Sequence, residues 1–88
     1  MPNKELLIKT ALYRSLHRGC KETDILLGKF AQSEINNFDD VKLNIYSKLI
    51  NEDDAMIYDW ILNKSSTPEE YLFLIAEIRK FHDLGQIL

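Results

Sequence analysis

His17, Cys20 and Asp24 are the first residues along the chain whose types could do chemistry, and they share one short stretch, HRGCKETD. An imidazole near a thiol is the start of a nucleophile–base pair. Gly19 lies between them and breaks any common helix face, so the spacing does not build that pair. The other histidine, His82, belongs to a different predicted helix. As metal ligands, His17, Cys20 and Asp24 lack the two close-spaced pairs of a structural zinc site. No G-x-S-x-G, Gly-rich phosphate loop or H-E-x-x-H occurs. The doubled acids Asp39–Asp40 and Asp53–Asp54 stand at predicted helix starts, where capping accounts for them. These residues give no catalytic constellation and no metal site, and the chain is expected not to be an enzyme.

The chemistry that does stand out is recognition. Arg18 and Glu22 flank Gly19, and two readings are open. In the first, Gly19 is a left-handed helix C-cap, Arg18 complements the helix dipole and Glu22 opens the next helix. In the second, the glycine leaves room for a partner's backbone and the Arg fork binds its oxygen atoms. Glu22 then orients Arg18 or receives a donor. Both charged side chains are expected to face solvent.

The elements that must position this stretch read as helices. The chain has three glycines and two prolines, and alternating runs are few. The first helix is predicted from about Lys4 to His17, after Pro2 and Asn3, with Leu7, Ala11, Leu12 and Leu16 toward one face. The second begins between Cys20 and Thr23 and runs to about Ile35, with Ile25, Leu26, Leu27, Phe30 and Ala31 inward. Gly28 inside it implies close packing or a kink, because a mid-helix glycine is costly. Asp39 or Asp40 caps a third helix carrying Leu43, Tyr46, Leu49 and Ile50. Asp53 or Asp54 precedes a fourth, striped by Ile57, Trp60 and Ile61. In NKSSTPEE, Thr67 as N-cap, Pro68 at N1 and Glu70 at N3 predict a capping box and a fifth helix from Pro68 to about His82. The breadth of YLFLIA predicts packing on more than one side. The expected fold is all-α, a compact five-helix bundle with short loops. It forms one domain over residues 1–88 with a loose tail at 83–88. The predicted core includes Leu12, Leu27, Phe30, Tyr46, Leu49, Trp60 and Ile75.

A formal net charge of −3 argues against nucleic acid as a partner. The longest apolar run, YLFLIA, falls far short of the roughly 20 residues of a membrane span. A lone cysteine fits a reducing compartment. The N-terminus, MPNKELLIKT, has neither an apolar signal core nor the character of a transit peptide. A cytoplasmic protein is expected.

RGCKE has the form R-G-x-x-E and is followed by TDILLGKFA and LNIYSKLINEDDAMIYDWI. In this order the chain closely resembles the succinate dehydrogenase assembly factors that promote flavinylation, the FAD assembly factor family, from about Tyr13 to Ile61. The resemblance implies a small helical bundle that binds the flavoprotein subunit of succinate dehydrogenase, and in some bacteria that of fumarate reductase. It implies help in attaching FAD covalently to a histidine of that client, with no cofactor bound stably by the factor itself. By position it makes Arg18, Gly19 and Glu22 the client-binding motif, with Arg14, His17 and Asp24 as further candidates. A monomer in the bacterial cytoplasm is the matching expectation. The alternative from a different class is a helical adaptor with another protein client.

Overall fold

The computed structural model describes residues 4–83, and among these the chain forms five α-helices and no strand. They are α1 (Lys4–Leu16), α2 (Lys21–Glu34), α3 (Asp40–Leu49), α4 (Asp54–Ile61) and α5 (Leu72–Phe81), with 3-10 turns at Ile35–Asn37 and Glu69–Tyr71. Pro2, Asn3 and the tail beyond Asp83 lie outside the described residues. The buried side chains form one cluster drawn from all five helices.

Residues spaced by three and four put the core face of α2 at Thr23, Leu27, Phe30 and Ala31, all buried. Gly28 lies on the same face. A Cβ there would stand 2.8 Å from Leu16 Cδ2 and 3.5 Å from the Ser15 carbonyl oxygen. The glycine lets α1 lie close against α2, and of the two expected roles it is packing, not a kink, that holds. Ile25 does not join this face; it is 45% exposed. Leu12 is half-buried and packs on the edge of the core, whereas the other six predicted core residues are buried.

Asp39 caps α3, its carboxylate accepting the Lys42 N–H at 2.7 Å. Leu43, Tyr46, Leu49 and Ile50 then point inward. Tyr46 joins Phe30 and Phe38 in an aromatic group with centroids 5.6–6.2 Å apart. The expected capping box at Thr67 does not form. Pro68 is extended (ψ 143°), and Glu70 instead pairs with Lys48 at 2.7 Å. The 3-10 turn carries the Tyr71 ring down to within 5.7 Å of Trp60. The α-helix starts only after that ring is placed. The α5 stripe is Leu74, Ile75 and Ile78, while Leu72 and Phe73 are exposed. One buried side suffices, against the expectation of several.

Ser15 is buried on α1 and donates its hydroxyl to the Ala11 carbonyl at 2.7 Å. Its only hydrogen is thereby engaged, so Tyr46 must donate across the 2.6 Å contact between the two hydroxyls. Burial pushes Tyr46 up to about 12. Tyr71 is also raised, first by burial and then by the Glu52 carboxylate that accepts its hydroxyl. The unfolded chain loses these protons first, near pH 10. Stability is therefore full below pH ~10 and declines as pH rises toward the folded values, by ~1.4 kcal/mol per pH unit for each tyrosine. Urea midpoints at pH 9, 10 and 11 should fall in that order. Tyr46→Phe should flatten the decline, and an equal decline in that variant would assign it elsewhere.

Candidate functional site

The HRGCKETD stretch is the turn between α1 and α2. The last helical bond of α1 runs from the His17 N–H to the Tyr13 carbonyl at 3.0 Å. The next N–H, of Arg18, leaves the helix and donates to Asp24 Oδ1 at 2.5 Å. Cys20 is extended (φ −121°, ψ 123°) and serves as N-cap of α2. Its carbonyl accepts the Asp24 N–H at 2.9 Å and the Thr23 hydroxyl at 3.1 Å.

This local set of bonds reverses the chain without a left-handed residue, and no described glycine has positive φ. Of the two readings left open for Gly19, the left-handed C-cap is therefore the one that does not hold. The Asp24 carboxylate takes the Arg18 N–H that such a cap would have organised. A Cβ on Gly19 would meet no atom within 4 Å. Neither backbone conformation nor internal packing requires glycine there.

The expectation that Arg18 faces solvent is also overturned. Its side chain is 9% exposed. The guanidinium reaches across to the α3–α4 loop, residues 50–53, and to the start of α4. Nε donates to the Asp54 carboxylate, Nη1 to the Ile50 carbonyl at 2.6 Å, and Nη2 to the Glu52 carbonyl at 3.0 Å. A planar fork suits such a divided set of acceptors; a lysine could not meet all of them. Arg18 is thus a clip between two turns that are distant in sequence.

Glu22 does not orient Arg18; Asp24 and Asp54 do. Glu22 is exposed in the first turn of α2, where its carboxylate accepts the Cys20 thiol at 3.1 Å. That bond holds its carboxyl below the usual carboxylate range. It stands as an anion on the surface at the start of α2.

Next to Gly19 a cleft of about 310 Å³ opens between the two turns. Tyr13, Arg14 and His17 form one wall, Ile50, Asn51 and Glu52 the other, with Arg18 and Asp54 also lining it. The Tyr13 and His17 rings stack with centroids 4.4 Å apart. Arg14 and His17 are exposed, while Asp24 is half-buried and engaged by Arg18. Tyr13, Asn51, Glu52 and Asp54 were not foreseen. Asp54 was read as a cap, but Asp53 is the N-cap of α4 and makes no side-chain cap bond, while Asp54 takes the Arg18 guanidinium.

The remaining chemistry-bearing groups are dispersed. A His82 ring nitrogen, Nε2, lies 2.8 Å from the Leu26 carbonyl oxygen and must donate to it. Among the described residues no group of three His, Cys, Asp or Glu side chains could hold a metal ion. Among them, too, no helix is long and apolar enough to cross a membrane.

Residues 9–82 match a protein family described as flavinator of succinate dehydrogenase. The chain is 37% identical to succinate dehydrogenase assembly factor 2, mitochondrial, of Dictyostelium discoideum over 78 residues, covering 89% of this chain and 55% of the relative. Against assembly factor 2-A of Drosophila willistoni it is 38% identical over 85 residues, covering 92% and 54%. Against assembly factor 2 of Caenorhabditis briggsae it is 35% identical over 89 residues, covering 94% and 73%. The chain spans about half the length of most of these relatives. No solved structure matches it. The expected bacterial, cytoplasmic setting is corrected by these relatives, which are eukaryotic proteins named as mitochondrial. That expectation had rested on the first residues, and a chain half as long as its relatives gives them no bearing on a leader. The match over residues 9–82 and the identities above 30% together establish that the chain belongs to the flavinator of succinate dehydrogenase family.

Proposed function

We propose that this chain binds the flavoprotein subunit of succinate dehydrogenase and promotes covalent attachment of FAD to it. The face around Gly19 and the adjoining cleft meet the client. The observation that carries this reading is Gly19 itself. Its φ is not positive and open space lies where a side chain would be, which supports a role for the missing side chain toward a partner. Arg14 and His17 line the same cleft as Gly19, and Glu22 is exposed three residues on, in the first turn of α2. The same face would receive the related subunit of fumarate reductase, one copy of the factor to one client.

The bond to flavin is made in the client. The Cys20 thiol donates to the Glu22 carboxylate, a local contact at the start of α2, and this reading gives it no part in the chemistry. The cleft, about 310 Å³, is at the low end for a small-molecule site and small for a dinucleotide. That supports leaving FAD on the client, with no cofactor held stably here. The factor acts by binding one client conformation more tightly than others, and its leverage equals that difference in affinity.

The test is covalent flavin fluorescence of the denatured client subunit, prepared with and without this chain. Flavinylation should rise when the chain is present; equal fluorescence in both would end the proposal. Cys20→Ser should keep full activity, and its loss would revive a thiol mechanism. Glu22→Ala removes a fully exposed group, so melting should move by no more than ~0.5 kcal/mol. Flavinylation should fall sharply in that variant. Normal flavinylation would remove Glu22 from the client face.

A further inference from the structure

The α3–α4 loop lies within LNIYSKLINEDDAMIYDWI, and it is held from two directions. From the α1–α2 turn, Arg18 takes the carbonyls of Ile50 and Glu52 at 2.6 and 3.0 Å. From the opposite side, the buried Tyr71 donates its hydroxyl to Glu52 Oε2 at 2.8 Å. The loop also braces itself, with the Asn51 N–H on the Lys48 carbonyl at 3.1 Å and the Glu52 N–H on the Leu49 carbonyl at 3.0 Å. The Arg18 and Tyr71 bonds are part-buried. Outward, the loop presents the exposed Asn51 side chain, across the cleft from Tyr13 and His17.

A loop that merely joined two helices would not need an Arg fork on the carbonyls of Ile50 and Glu52 and a tyrosine hydroxyl on the Glu52 carboxylate. We propose that this loop is the second half of the client face, that Asn51 contacts the client, and that Glu52 and Tyr71 are positioning residues that hold it in place. A carboxamide offers one donor and one acceptor side by side, the pattern of a peptide group. The client would therefore meet Asn51 with a segment of main chain, running past the bare Cα of Gly19. Tyr71 lies in the 3-10 turn before α5, so the inference extends the functional surface to a part of the chain far from R-G-x-x-E.

This inference rests on the proposed function, and the experiment separates the two. The free protein is followed by hydrogen–deuterium exchange, and affinity for the purified flavoprotein subunit is measured by titration calorimetry. Tyr71→Phe keeps the ring on Trp60 and removes only the hydroxyl. It should speed exchange at Asn51–Asp54 by at least ~5-fold, with α2 and α3 core amides unchanged, and weaken client binding by about tenfold. Glu52→Ala should match it, the double variant should add little, and Glu52→Gln, whose carbonyl still accepts the hydroxyl, should restore most of the affinity. Asn51→Ala should leave exchange and melting unchanged and weaken binding by about tenfold. Unchanged loop exchange in Tyr71→Phe overturns the positioning role. Full affinity in Asn51→Ala overturns the loop as client surface. If the unmodified chain does not bind the flavoprotein at all, the functional reading fails, and the client face with it. The exchange measurements still decide what Tyr71 does to the loop.

Discussion

Arg18→Ala is expected to lower the free energy of unfolding by about 3 kcal/mol, because it removes one group and strands others. Asp54 keeps its charge in a site where its side chain is 26% exposed. The carbonyls of Ile50 and Glu52 lose their donors. Broken buried ion pairs cost about 3–5 kcal/mol, and the partial exposure of Asp54 puts this one at the low end. In a domain this small each kcal/mol shifts the melting midpoint by about 4–8 °C, so a drop of more than 10 °C is expected. A chain of 88 residues has a total margin on the order of 5–13 kcal/mol, so the variant stays folded at room temperature with a much reduced margin. Arg18→Lys should recover part of the loss, since an ammonium cannot reach all the acceptors of the fork. Urea denaturation of the three proteins checks this. A shift within ~0.5 kcal/mol, the range of surface substitutions, would show that the clip contributes nothing.

That expectation reverses what Arg18 suggested in sequence, and the reason is physical. A helix-end arginine has two good fates, solvent or a distant acceptor set, and local pattern cannot choose between them. The acceptors here lie 32 to 36 residues away. What was legible was local or periodic. The stripe Leu43, Tyr46, Leu49 and Ile50 follows from helical spacing. The Asp39 cap follows from a short acceptor before an apolar repeat. Gly28 asked for a close neighbour and has one in Leu16. The misreadings share a cause in tertiary demand. Ile25, Leu72 and Phe73 are apolar enough for the core, but their angular positions point away from it. The Thr67–Glu70 signal was outcompeted by the placement of Tyr71, whose ring packs on Trp60 and whose hydroxyl reaches Glu52. Of the candidate site, the motif residues were legible one by one. What they build together, an exposed glycine beside a cleft closed by a clipped loop, depends on Asp54, Glu52 and Tyr71.

Gly19 gives the sharpest contrast between folding and function. Gly19→Ala places a methyl in open space at a backbone conformation that alanine accepts. Such a substitution reduces the freedom of the unfolded chain, so stability should stay level or rise by about 0.4–1 kcal/mol. A left-handed cap would have predicted a loss of ~1 kcal/mol instead. Gly19→Arg likewise projects into solvent and should leave melting nearly unchanged. On the client face the order inverts. The methyl should weaken binding by about tenfold or less, and the arginine, filling the approach, by at least ~100-fold. Flavinylation of the succinate dehydrogenase flavoprotein should follow the same order. The prediction therefore pairs two measurements on each variant, thermal melting of the free chain and affinity for the flavoprotein. A destabilised Gly19→Arg would mean that the space beside Gly19 is not open in solution, and the binding loss would then have a trivial cause. A stable Gly19→Arg that binds and flavinylates normally would move the client surface away from the α1–α2 turn. The glycine would then be left without a purpose inside or outside the fold.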